Sequence, residues 1–139
     1  MTGPVEGCAL LTAEQVRDTL GATRVTTYAE DNGRTCVFLG ADDVRVLTVR
    51  VGDLPRALLG GPEQVVLLAA SPAELTEPVP GLADAAVFYS DRRRGSGVTF
   101  ARGRGERVTS VDIEASGPNA QSPRDTLVHL ARLANAALP

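Results

Sequence analysis

Apolar positions change their period several times along the chain. Val16 and Leu20 stand at i and i+4, Thr12 precedes the segment as an N-cap, and Gln15 follows three residues later as in a capping box. With Gly21 as a stop, this predicts a helix over 13–20, and Leu10 and Leu11 are placed to staple onto Val16. The period then becomes two. Segments 24–29, 34–40 and 44–51 read as strands, separated by Asp31-Asn32-Gly33 and Ala41-Asp42-Asp43 turns. In the third of these, Leu47, Val49 and Val51 share one face.

The segment 62–70 is ambiguous. Pro62 suits the first helical position, so a short buried helix fits, but the Val65-Val66-Leu67-Leu68 run is equally compatible with a strand. The stretch 72–80, rich in proline and acid, reads as a surface linker. Strands are expected at 85–90, 97–101 and 107–115. In the last, Thr109, Val111 and Ile113 point inward, while Ser110, Asp112 and Glu114 point to a solvated face. Ser122 as N-cap and Pro123 at N1 open a final helix, with Leu127, Leu130, Ala131, Ala134 and Leu138 as its apolar stripe. The expected fold is α+β: one domain over 1–139, with a largely antiparallel sheet of about six strands in the order α-βββ-α-βββ-α, flanked by helices.

A chain of 139 residues holds one domain with its own core. All 14 basic residues are arginine, a usage that reflects GC-rich coding, as in actinobacteria. The net charge of −3 argues against nucleic-acid binding, which needs a basic footprint. No apolar run approaches the length of a transmembrane helix, and the first residues lack the basic and apolar regions of a signal peptide. Either the chain is the mature part of an exported protein or it is a cytoplasmic protein starting at Met1.

Cys8 and Cys36 are the only cysteines. A structural disulfide, a redox pair and two buried thiols are all open; no metal-ligand spacing accompanies them, and no cofactor is implied. His129, the only histidine, sits inside the last helix on a face that differs from the apolar stripe, and no nucleophile-elbow motif provides it with a serine. Arg92, Arg93 and Arg94 form a loop cluster suited to an anion or an acidic partner. Asp42, Asp43, Asp112 and Glu114 are acid–base candidates, and the first reading of Asp112 and Glu114 is a solvated strand face. Tyr28, Tyr89 and Phe100 fall on predicted strands and are candidates to line a ligand cavity between sheet and helix.

The run Cys8-Ala-Leu-Leu-Thr-Ala-Glu-Gln-Val-Arg-Asp-Thr-Leu-Gly21, followed by Cys36-Val-Phe and by Pro80-Gly-Leu-Ala-Asp-Ala-Ala86, resembles a broad actinobacterial family. Its members are short secreted proteins, often lipid-anchored and of largely unknown function. Ala83 stands where that family's step has a glycine, and Cys8 lacks the apolar run of a lipidation site. The resemblance implies a Cys8–Cys36 disulfide tying the first helix to the sheet, a fold similar to the PsbP-like one, and no catalytic residue. The expected function is a non-catalytic extracytoplasmic domain that binds a small apolar ligand or a partner protein at the cell envelope. The alternative is a small cytosolic cyclase- or isomerase-type enzyme of a natural-product pathway, acting through a shaped cavity.

Overall fold

The computed structural model describes residues 5–71 and 73–139; Met1–Pro4 and Pro72, which begins the proline-rich stretch, lie outside them. Helix α1 spans Ala13–Leu20. Its start is the reciprocal cap expected: the Gln15 N–H donates to Thr12 Oγ1 at 3.0 Å, and the Thr12 N–H donates to Gln15 Oε1 at 2.9 Å. Gly21 closes it at φ 70°.

Strands β1 (Thr26–Glu30), β2 (Thr35–Leu39) and β3 (Arg45–Pro55) then form a meander. Its two turns place Asp31, Asn32, Asp42 and Asp43 at φ between 55° and 60°, a left-handed backbone that Asn and Asp tolerate better than most residues. A one-turn helix α2 (Arg56–Leu59) and helix α3 (Pro62–Ala70) carry the chain over the sheet to its far edge. The ambiguous 62–70 segment is thus helical. Pro62 occupies its first turn, and the Gly61 N–H donates to Gln64 Oε1 at 3.0 Å.

A second meander follows: β4 (Leu75–Pro78), β5 (Ala85–Asp91), β6 (Gly95–Arg104) and β7 (Arg107–Ala115), before helix α4 (Arg124–Ala137). The sheet therefore has seven strands in the order β1-β2-β3-β7-β6-β5-β4, all antiparallel. The additional strand, β4, lies inside the stretch read as a linker. It is four residues long, has one neighbour and ends at a proline, so it carries little periodicity. Ser122 does not cap α4 as expected. Its hydroxyl donates to the Asn119 carbonyl at 2.6 Å, and the helix starts one residue after Pro123.

The two faces of the sheet are covered differently. Helices α1 and α4 pack together on one face, over Phe38, Leu47, Phe100 and Ile113. Helix α3 covers β5, β6 and β7 on the other, where Val65, Val66 and Ala70 meet Val87, Tyr89, Ala101 and Val108. Further along that second face, toward β1, stand Arg50, Arg45, Tyr28 and Glu30.

A disulfide joins Cys8 to Cys36, with the Cα atoms 4.8 Å apart. It depends on Gly7. A Cβ there would lie 2.8 Å from the Arg34 carbonyl oxygen and 2.9 Å from the Cys36 nitrogen, so only glycine lets this turn lie flat on the sheet. The closed loop spans 28 residues, and its chain-entropy contribution is about 3.5 kcal/mol.

Candidate functional site

Two features of the α3 side of the sheet bear on function: a polar network and an apolar groove. The network is built by strand register. Asp112 faces Arg50 on β3 and Thr99 on β6, while Glu114 faces Thr48 and Gly97. Tyr89 on β5 is paired with Gly97. The ring of Tyr89 occupies the space a side chain at position 97 would take, so glycine there lets the tyrosine reach across β6 to β7. Its hydroxyl donates to Asp112 Oδ1 at 2.8 Å.

Arg94 closes the network from above. In the turn after β5, Asp91 Oδ1 accepts the N–H groups of Arg93 at 2.9 Å and Arg94 at 3.1 Å. These bonds, Arg94 first, hold the Asp91 carboxyl below its ordinary range. The turn directs Arg94 back over the sheet, with its guanidinium carbon 4.2 Å from the centre of the Tyr89 ring. Its Nε donates to Glu114 Oε1 at 2.6 Å, and its Nη2 lies 3.7 Å from Asp112 Oδ2. Arg50 approaches the same acids at 3.3 Å and 3.7 Å.

Asp112 and Glu114, read as solvated, are therefore enclosed: their side chains are 15% and 14% exposed. Burial pushes the Asp112 carboxyl up to about 6; the Tyr89 hydrogen bond pulls it down, Glu114 pushes it up, and Arg94 and Arg50 pull it down. Burial also raises the Tyr89 hydroxyl, with the charges of Asp112 and Glu114 adding to it, so Tyr89 remains a proton donor. The Thr99 hydroxyl oxygen, buried beside Asp112, has no hydrogen-bond partner. Two guanidinium groups oppose two carboxyls, and each charge meets an opposite one within 4 Å. This balances charge inside the protein and leaves no unpaired one to bind with.

The groove lies between α3 and the segment joining β4 to β5. It has a volume of about 420 Å³ and is lined by Val66, Leu67, Pro78, Val79, Leu82 and Ala83, with Glu63 and Asp84 as its charged members. Beyond its first turn, helix α3 is apolar on both its faces. Val65 and Val66 are buried, yet Leu67 is 59% and Leu68 61% exposed. A helix apolar all round is normally enclosed. The groove floor is held by Asp84, whose Oδ2 accepts the Gly103 N–H at 2.7 Å, and by left-handed residues at Gly81 and Ala83.

The other sequence candidates fall elsewhere. Phe100 faces the α1–α4 layer and Tyr89 the α3 side, so they share no cavity. Tyr28 stands on the exposed edge strand β1 and accepts a hydrogen bond from Arg45 at 3.0 Å. The arginine run is divided: Arg94 turns inward, Arg92 and Arg93 stay exposed, and Arg92 lies 3.6 Å from Glu74. Asp42 and Asp43 serve a turn, and His129 is exposed on α4. Sequence reasoning missed the groove, because its walls are a linker and an unassigned helix. The one signal was α3 itself: six successive apolar residues after a single amphipathic turn.

No protein-family model matches the chain, and no curated protein proved similar to it. Among the described residues, no helix is long and apolar enough to cross a membrane.

Proposed function

We propose that this is a non-catalytic, extracytoplasmic binding domain that takes a small apolar ligand, or an apolar segment of a partner protein, in the groove beside α3. The observation that carries the reading is the exposure of Leu67 and Leu68 on a short helix next to an apolar groove. Exposed apolar surface of this kind is retained where something covers it. The polar network supports the same reading, since its acids and bases satisfy one another. The disulfide is consistent with an oxidising compartment. Glu63 and Asp84 favour a ligand with a neutral or cationic head over an anionic one.

The test is an amide chemical-shift titration with decyltrimethylammonium below its micelle concentration, with decanoate as the anionic counterpart. Saturable shifts confined to 63–67 and 78–87 are expected, weaker with decanoate and at least tenfold weaker in Leu67→Asp. Shifts that never saturate, or that centre on another face, would overturn the proposal. Native protein should also titrate with no free thiol; two reactive thiols would count against export.

A further inference from the structure

The sheet has two edges, and only the β4 edge contains a proline. Strand β4 is four residues long, carries Glu77 and ends in Pro78. Short length, charge and proline all discourage pairing with another chain. Strand β1 is one residue longer and carries Glu30, but it holds no proline. It pairs with β2 without a bulge, and all five of its residues are exposed. Arg24 and Val25 lead into it from outside the paired residues, with Val25 packing on the helix-side core. Residues 25, 27 and 29 therefore share the helix side, and 24, 26, 28 and 30 the other.

We propose that β1 pairs antiparallel with β1 of a second copy of this chain, about a two-fold axis at Thr27, so that one sheet continues through both molecules. The sequence of this edge is complementary to itself in that register. Thr27 meets its own symmetry copy. Thr26 faces Tyr28, apolar Val25 faces apolar Ala29, and Arg24 faces Glu30, each pair occurring twice. Among the described residues no acid pairs with Arg24, and the carboxyl of Glu30 meets only Arg45, at 3.0 Å, on the same face. Centring on Tyr28 instead would set Glu30 against Thr26 and Arg24 against the turn at Asn32, losing both charge pairs. Two-fold pairing of this kind forms a closed, isologous contact rather than a fibre.

Sedimentation equilibrium from micromolar to millimolar concentration tests the pairing. The wild-type mass should rise toward twice that of one chain. Arg24→Glu sets like charges against each other at both ends of the contact, as does Glu30→Arg, and each should weaken dimerisation about tenfold. An equimolar mixture of the two variants should restore it, because one chain then carries acids at both positions and the other carries bases, so opposite charges meet at both ends. Circular dichroism checks that both variants are folded. Thr27→Cys gives a second measure: mild oxidation should link two chains through position 27, whereas Thr76→Cys on the β4 edge should not link. The proposal is overturned by a wild type that stays monomeric at millimolar concentration, by a dimer indifferent to both charge changes, or by a mixture that fails to recover.

Discussion

Asp112→Asn converts the buried carboxyl into a neutral side chain that still accepts the Tyr89 hydrogen bond. Its effect should depend on pH in a direction opposite to ordinary acid denaturation. The Asp112 carboxyl titrates near 3.8 when exposed and near 6 in the folded protein. The native state therefore holds this proton more tightly than the unfolded chain does. Between those two values the folded form binds more protons, so stability from this group is full below 3.8 and falls as pH rises through 6. At about 1.4 kcal/mol per pH unit, the loss is about 3 kcal/mol by pH 7. Urea unfolding of wild type and Asp112→Asn at pH 4, 5, 6 and 7 measures it. The two should be similar at pH 4, and the variant should be more stable by about 3 kcal/mol at pH 7. Subtracting the two curves cancels the opposing slope from Asp91, whose carboxyl is held below its ordinary range. A difference that is flat with pH, or a variant weaker at pH 7, would refute the reasoning. It would mean that the attraction of Arg94 and Arg50 outweighs the cost of burying the carboxylate.

Two further predictions concern the framework. Replacing both cysteines, as Cys8→Ser with Cys36→Ser, should lower unfolding free energy by about 3.5 kcal/mol in denaturant titration, because the 28-residue loop is no longer closed in the unfolded state; a loss below about 1 kcal/mol would show that the N-terminal turn is held by packing alone. Ala83 sits at φ 53°, a conformation costing a side-chain-bearing residue about 1–2 kcal/mol. Ala83→Gly should therefore stabilise the protein by about 0.5–1 kcal/mol after glycine's greater unfolded-state freedom is subtracted, read as a rise in the urea midpoint; a fall would sink the strain argument.

Local chemistry made much of the fold legible. The capping box at Thr12 and Gln15, the Asp-Asn-Gly turn and the alternation of Val111 and Ile113 act between near neighbours, so each could be read without knowing the rest of the chain. Strand β4 was not legible. Four residues ending in proline make a strand only because β5 lies alongside to pair with them. Helix α3 was half legible: Pro62 marked its start, but its apolar run suits either state until the sheet beneath it is in place.

The sites divide in the same way. The sequence alone determined which residues are available: two cysteines, one histidine, three consecutive arginines and acids on a strand's polar side. Tertiary structure decided what each became. Asp112 and Glu114 alternate as a solvated pair would, yet β3 and β6 bring Arg50 and Thr99 beside them, and a glycine on β6 lets Tyr89 lie across. Arg94 left its two neighbours in solvent because the Asp91 turn aims it inward. Pairing across a sheet joins residues separated by sixty positions or more, as Arg50 and Glu114 are, and periodicity carries no record of such partners. Burial, which sets the charge state of Asp112, exists only once those partners have met.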